Sequence, residues 1–256
     1  MSPTTVEVQL DSDVGAYTMQ VIEGDYFKDV LATRRPYEEE MLRITTALTR
    51  SGDRIVDVGA HMGNHSVYWG LAGRRVTAFE PNPPVNAVLR ANIERNGLSS
   101  VIDARQAALG RERTTGGARQ PDPHNLGSVT IDAGEGDLPI YPLDSVDLDS
   151  LAVLKIDVEG HEGDVLAGAV QTLRRWRPYI VAEELSGHHE VERLMKTLGY
   201  KRLPVNLAVS PTRIYSPSTR ASLRVFAVPE YRRLAKQAVA HRVRALRTSS
   251  SPATAA

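Results

Sequence analysis

The residues best equipped for chemistry fall in three short stretches. The first runs Ile55-Val56-Asp57-Val58-Gly59-Ala60-His61-Met62-Gly63 and is answered by Glu80, which closes Val76-Thr77-Ala78-Phe79. A short apolar strand that breaks into a glycine turn, then a helix, then an acid about 20 residues on, is the layout of a nucleotide-binding βαβ unit. A ribose-bearing cofactor is expected there. A dinucleotide fingerprint needs Gly-x-Gly-x-x-Gly so that backbone can approach a pyrophosphate at a helix N-terminus. This loop has Gly59 and Gly63, with Ala60 at the second crowded position. Asp57 inside the turn would repel a diphosphate and suits a cation. S-adenosylmethionine carries a sulfonium and an ammonium and no phosphate, so it fits this charge pattern better than a nicotinamide dinucleotide. Glu80 would accept hydrogen bonds from the ribose hydroxyls. Asp57, Gly59, His61, Gly63, Ser66 and Glu80 are therefore the candidate cofactor contacts, joined by Asp157 from the second stretch.

That second stretch is Lys155-Ile156-Asp157-Val158-Glu159-Gly160-His161-Glu162, at the end of the apolar run Leu151 to Ile156. In open parallel sheets the carboxyl ends of the strands line the ligand crevice, so Asp157 is expected to face the same space as the glycine turn. The third stretch, Glu183-Glu184, closes the next strand. Carboxylates converging from adjacent strand ends repel one another unless a cation, a proton or Lys155 neutralises them. Mg²⁺ held by Asp157, Glu183 and Glu184 is one such resolution, since a hard ion takes oxygen ligands and can orient a substrate hydroxyl. Neighbouring strand residues alternate in direction, however, which would leave only one of the two glutamates pointing inward. Neutral imidazole accepts a hydroxyl proton near neutral pH. His161, one turn beyond Asp157, is the candidate base, ahead of His188 and His189 behind the paired glutamates and of His61 and His65 at the glycine turn. His161, Asp157 and Lys155 form the candidate catalytic set.

Composition narrows the partners. The 256 residues carry 31 Lys plus Arg and 31 Asp plus Glu, so the basic footprint of a nucleic-acid binder is missing. A small or oligosaccharide acceptor fits better. Cysteine is absent, which removes disulfides, thiolate nucleophiles and zinc-thiolate sites. With no signal peptide and no long apolar run, no membrane span is expected and the expected compartment is the cytoplasm.

The elements that must position these residues are legible in outline. Residues 1 to 35 carry weak strand-like alternation and read as an N-terminal addition. Pro36 opens a helix ending at Ser51-Gly52, strand Arg54 to Val58 follows, then helix Ser66 to Leu71 and strand Arg75 to Phe79. Pro83 starts the next helix, so Asn82-Pro83-Pro84 is a helix start rather than a base-clamping motif. Val101 to Ala107 reads as a strand. Gly110 to Gly127 has no periodicity and reads as a lid or binding loop. Ser128 to Ile131 and Leu138 to Tyr141 are small strands; helix Glu162 to Arg175, strand Tyr179 to Ala182 and helix Glu190 to Leu198 follow. Leu207 to Val209 and Ser222 to Val228 read as a closing strand pair. Tyr231 to Arg247, with six basic residues and no acid, reads as a docking helix with a solvated basic side, and the remaining tail as disordered. Strands alternating with helices in this way argue for an α/β doubly wound sheet, with a main domain spanning 36–230 and a C-terminal segment 231–256.

At this point the chain resembles the FkbM-type S-adenosylmethionine-dependent O-methyltransferases. The matching segments are Val56 to Gly63, Phe79-Glu80-Pro81-Asn82 and, above all, Leu154 to Glu162 with Val165-Leu166-Ala167-Gly168-Ala169 behind it. Asn125-x-Gly127-Ser128 and Pro142-Leu143-Asp144-Ser145 also look like the family's middle region. The resemblance covers roughly residues 36 to 203. It implies a Rossmann-like class I methyltransferase fold, a seven-stranded mostly parallel sheet with one antiparallel strand and helices on both faces. It also implies methyl transfer to a hydroxyl of a sugar, polysaccharide precursor or polyketide, a methylated mannoside among them. The family's first loop commonly reads Ala-Asn-x-Gly where this chain has Ala60-His61-Met62-Gly63, which leaves the role of His61 open. The acids Asp157, Glu183 and Glu184 are also similar to those of metal-dependent sugar O-methyltransferases outside the family. Acceptor choice and any homodimer contact would be encoded outside the matched core, in residues 1 to 35 and 204 to 256. The readings set beside this one are a polyketide O-methyltransferase, which calls for a more apolar lid than Arg111 to Leu126, a nicotinamide-dependent oxidoreductase, and a catalytically silent cofactor-binding module.

Overall fold

A computed structural model describes residues 3–119, 122, 124–126, 129–183, 189–207 and 212–249. The chain opens on an antiparallel hairpin, β1 (Thr5–Ser12) and β2 (Gly15–Ile22), in register from Thr5 opposite Ile22 to Ser12 opposite Gly15. Its alternation is real, and the inward residues Leu10, Met19 and Val21 are fully buried. Short α1 (Phe27–Leu31) and then α2 (Glu39–Leu48) follow. The nucleotide-binding layout comes next as β3 (Arg54–Val58), α3 (Asn64–Leu71), β4 (Arg75–Phe79) and α4 (Pro83–Arg95), with Pro83 in the first turn of α4.

The middle of the chain builds β5 (Ile102–Arg105), β6 (Ala108–Leu109), β7 (Thr114–Arg119), β8 (Thr130–Ala133) and β9 (Leu138–Tyr141). The segment expected to be a loop from Gly110 to Gly127 therefore contains a strand. β7 pairs with both β8 and β9, making a four-stranded sheet in the order β6-β9-β7-β8. Gly116 and Gly117 lie so close to neighbouring backbone that a Cβ there would meet the carbonyl oxygens of Asp132 and Glu135. Glycine at those positions permits the pairing and at the same time hides the strand from a propensity reading.

The third part comprises β10 (Val153–Ile156), α5 (Glu162–Ala167), α6 (Val170–Trp176), β11 (Tyr179–Glu183), α7 (His189–Thr197), β12 (Lys201–Arg202), β13 (Thr212–Ser216), α8 (Thr219–Ala227) and α9 (Pro229–Ser249). Two expectations are corrected here. The helix from Glu162 to Arg175 is broken at Gly168-Ala169, because Gly168 packs on the backbone of Gly110 and its carbonyl accepts from Asp144 N. The Asp144 carboxylate then caps α6, accepting from Gln171 N at 3.0 Å and Thr172 N at 2.7 Å. The segment Ser222 to Val228 is helix α8 rather than a strand, capped by the Ser218 hydroxyl accepting from Ala221 N at 3.1 Å. The strand at this end is β13, and Leu207 lies outside any strand.

The main sheet has seven strands in the order β12-β13-β11-β10-β3-β4-β5 and is mixed. From β11 to β5 neighbouring strands are parallel; β13 runs antiparallel to both β11 and β12. Because side chains alternate along a strand, the apolar runs feed two cores. Ile55, Val76 and Val153 pack with α2, α3, α4 and the N-terminal hairpin on one face, whereas Val56, Leu154 and Ile180 pack with α5, α6 and α7 on the other. Burial on both faces is why these strands read as largely apolar runs, interrupted by Asp57, Thr77 and Lys155. Helix α9 docks through the fully buried Tyr231, with Leu234 and Ala235 behind it. Among the described residues no helix is long and apolar enough to cross a membrane.

Candidate functional site

The carboxyl ends of β3, β4 and β10 meet at the glycine turn. Gly59 has φ +77°, and a Cβ there would stand 1.8 Å from the carbonyl oxygen of Asp157. Only glycine lets the turn press against β10. The turn is tied to β4 by Gly59 N and Ala60 N, which both donate to Phe79 O at 3.0 Å. His61 follows with φ +51°, and its N–H donates to Glu80 Oε2 at 2.9 Å, while Asn82 N donates to Oε1 at 2.8 Å. Glu80 is buried, and burial outweighs those two hydrogen bonds and pushes its pKa up to about 7. Each carboxylate oxygen has a second lone pair available to another donor.

Lys155 organises the ground beneath the turn. Its buried ammonium donates to Gly59 O at 2.9 Å and stands 3.3 Å from both Asp57 Oδ1 and Asp157 Oδ2. Burial works against the ammonium, but Asp57 and Asp157 outweigh it and raise its pKa above the ordinary lysine value. Asp57 is fully buried and also accepts from Ser66 Oγ at 2.7 Å. Three oxygens surround Lys155, so it joins turn, β3 and β10.

A cavity of about 420 Å³ opens above this scaffold. Gly59, Glu80 and Asp157 line one part of it; Ala107, Leu109, Ile140 and Val158 give it an apolar part. His161 also lines it, near Asp164, which is 4.0 Å from His161 Nδ1 and ion-paired with Arg111 at 3.1 Å. Of the residues expected to hold the cofactor, Gly59, Glu80 and Asp157 thus face the cavity. Asp57, His61, Gly63 and Ser66 shape the turn and do not line it. Lys155 does not line it either. The arrangement suits a cofactor with a flat apolar end, a ribose and a cationic end.

Beside Asp157 lies Glu183. Ile156 pairs with Ala182, so the two acids leave adjacent strands at the same level, and their carboxyls are hydrogen-bonded. Burial, with the charge and hydrogen bond of Asp157, pushes Glu183 up to about 8. Burial also opposes the charge of Asp157, but Lys155 and the Glu183 hydrogen bond hold its pKa below the usual carboxylate range. The expected Mg²⁺ site is not supported. Glu184 and His188 lie outside the described residues, and among the described residues no group of three His, Asp or Glu is arranged to hold a metal ion. Lys155 supplies the cation and Glu183 the proton that the converging acids require.

Sequence reasoning missed the aromatic cover. Tyr26 and Phe27 come from the N-terminal addition and Tyr37 from the segment after Pro36, yet Phe27 packs edge-on against His61 with ring centroids 5.1 Å apart and against Tyr37 at 5.8 Å. Tyr37 in turn stacks on His65 at 6.2 Å. The Tyr26-Phe27 pair was the visible signal, but without a regular period nothing tied it to the turn.

The family model described as Methyltransferase FkbM domain matches residues 57–202. A curated relative from Haloferax volcanii, Hexuronic acid methyltransferase AglP, is 31% identical over 147 residues, covering 54% of this chain. The chain spans 58% of that relative's length. Among solved structures, Methyltransferase FkbM from Methylobacillus flagellatus is 18% identical over 68% of this chain and 47% of that one, with a TM-score of 0.47. The tRNA (uracil-54, C5)-methyltransferase of Pyrococcus abyssi is 15% identical over 83% of this chain and 43% of that one, with a TM-score of 0.48. Both TM-scores are below 0.5, and the assignment rests on the family match across more than half of the sequence. The chain belongs to the FkbM methyltransferase family.

Proposed function

We propose that the protein is an S-adenosylmethionine-dependent O-methyltransferase that acts on a hydroxyl of a sugar or polysaccharide precursor. The observation that carries the reading is the charge at the strand ends. Glu80 and Asp157 face the cavity as acids, while the ammonium of Lys155 is held among three oxygens behind the turn. A diphosphate would meet anions there, whereas a sulfonium is favoured. Family membership supports the donor, and the name of the curated relative, a hexuronic acid methyltransferase, supports the sugar class of the acceptor.

When bound, S-adenosylmethionine supplies an electrophilic methyl group. The chain's own residues hold and orient. Glu80 offers its remaining lone pairs to the ribose, the apolar part of the cavity takes the base, and Asp157 faces the cationic end. Much of the barrier reduction in such a site comes from positioning, worth about 7 to 11 kcal/mol in well-oriented systems. His161 lines the cavity on the Asp164 and Arg111 side, whereas Glu183 stands beside Asp157 on the far side of β10 from Glu80. Glu183 already carries a proton and Asp157 is held ionised by Lys155, so the base for a proton leaving the acceptor hydroxyl is His161, which lines the cavity.

The test is transfer of labelled methyl from S-adenosylmethionine to a panel of mannosides, hexuronosides and hydroxylated polyketides, with calorimetry of S-adenosylhomocysteine and NADH alongside. Label in a glycoside fraction and binding of S-adenosylhomocysteine but not NADH are expected. Binding of NADH alone would sink the reading in favour of an oxidoreductase, and label confined to polyketides would move the acceptor class.

A further inference from the structure

Charge is segregated along this chain in a way that the cavity does not use. Helices α8 and α9 carry eight Lys or Arg and one acid, Glu230, although the chain as a whole balances 31 against 31. The same helices hold two of the three exposed large hydrophobic residues among those described, Leu223 at 66% and Phe226 at 37%. Both facts belong to one surface. In α8, Ser222 and Val225 turn inward and are buried, which leaves Arg220, Leu223, Arg224 and Ala227, spaced i, i+3, i+4 and i+7, on the outer face. Phe226 flanks Leu223 and is held edge-on against the buried Tyr231 of α9 at 5.2 Å. Arg232 Nε donates to Phe226 O at 2.8 Å, so the first turn of α9 brings an exposed cation beside the same residue.

This surface is fixed to the body but not neutralised by it. Tyr231 is fully buried, Leu234 and Ala235 pack on the main core, and Arg233 pairs with Glu40 of α2. Arg220, Arg224, Arg232 and Lys236 have no acidic partner among the described residues. In β13, Thr212 lies opposite Glu183 and Tyr215 opposite Ile180, so α8 starts at the end of the sheet away from the glycine turn, and none of its residues lines the cavity. An exposed leucine gains nothing from water or from a nucleic-acid phosphate backbone, and an isologous contact with a second copy would set cation against cation. A lipid surface satisfies both halves. Acyl chains beneath the headgroups receive the apolar pair, and anionic headgroups receive the cations. Among the described residues no helix is long and apolar enough to cross a membrane, so the helices would lie on the surface.

We propose that the outer face of α8 and the start of α9 dock on a membrane surface bearing anionic lipids, with Leu223 and Phe226 seated below the headgroups and Arg220, Arg224, Arg232 and Lys236 on their phosphates. The inference is independent of the methyl-transfer reading, because it uses no residue of the cavity. It also gives the C-terminal helices, which lie outside the matched family core of residues 57–202, a function of their own.

The experiment is sedimentation of the full chain with vesicles of phosphatidylcholine alone and of phosphatidylcholine mixed with phosphatidylglycerol, with a ribo-oligonucleotide as competitor. Binding to the anionic vesicles is expected, weakening as salt is raised. Arg220→Gln combined with Arg224→Gln should reduce it by roughly tenfold or more, and Leu223→Ser by about fivefold, with thermal unfolding unchanged because all three side chains are exposed. Since the chain has no cysteine, Leu223→Cys takes a single environment-sensitive fluorophore, and its emission should shift to the blue on anionic vesicles. Absence of binding, or equal binding with and without phosphatidylglycerol, would overturn the proposal. Binding that survives both the arginine and the Leu223→Ser variants, or a fluorophore that does not shift, would show that this face is not the one that docks. Displacement by the oligonucleotide with Leu223→Ser without effect would assign the cations to nucleic acid instead.

Discussion

Lys155, expected in the catalytic set, donates to Gly59 O and stands between Asp57 and Asp157. Replacing it with methionine leaves Asp57 fully buried without its cation, and breaking a buried pair from one side costs about 3 to 5 kcal/mol. Lys155→Met should therefore lower stability by about 3 kcal/mol in thermal or urea unfolding, a loss that a purely catalytic lysine would not cause. Glu80 links binding to pH. Its folded pKa of about 7 lies above the usual carboxylate value, so between about pH 4.5 and 7 the folded protein holds a proton that the unfolded chain has released. Stability from this group is present at low pH and is lost as pH rises through 7. Cofactor affinity runs the other way, because the ionised carboxylate is the better acceptor for ribose hydroxyls. S-adenosylhomocysteine binding should strengthen as pH rises through 7, and Glu80→Gln should weaken it and flatten the profile. Asp157 already has Lys155 and the Glu183 proton as partners, so methyl transfer should survive exhaustive dialysis against EDTA. Loss of activity restored by Mg²⁺ would contradict that assignment.

Among the elements, β3, β4, β10 and β11 were legible as largely apolar runs, and α4 through the period of Val85, Leu89 and Ile93. The elements misread were decided by distant partners. Nothing local to residues 162–175 announces that Asp144 caps α6 from another part of the chain, or that Gly168 rests on Gly110. Ser222 to Val228 mixes apolar residues in a spacing short enough to fit either period, and the Ser218 cap settles it as helix. The glycine turn can be tested at this scale against an internal control. Gly59 and Gly97 both have positive φ, but a Cβ on Gly59 strikes the backbone of Asp157 while one on Gly97 meets nothing within 4 Å. Gly97→Ala should cost about 1 kcal/mol from the left-handed backbone alone. Gly59→Ala adds an overpacking penalty of about 1 to 3 kcal/mol and should also abolish cofactor binding, measured by unfolding and calorimetry together.

For the whole molecule, the N-terminal residues that read as an addition are part of its main core. Leu10, Met19 and Val21 are fully buried in the cluster that also holds Ile55, Val76 and Trp69. Burying side chains of this size stabilises by about 1.5 to 3 kcal/mol each, which together approaches the 5 to 15 kcal/mol total, approximately, of a typical domain. Deleting residues 1–24 should therefore abolish the cooperative thermal transition rather than trim acceptor choice alone; a truncated chain that melts within a few degrees of the full one would refute this. The sequence by itself determined the glycine turn, Glu80, the Lys155 to Glu162 strand end and the alternating strands and helices, because each is written in residues close together along the chain. Tertiary structure alone decided which of those residues face the cavity, that Lys155 and a shared proton answer the converging acids, and that Phe27 packs on His61 at the turn. The reason is that these are contacts between distant segments, and neither periodicity nor local spacing encodes which strand end another segment will cover.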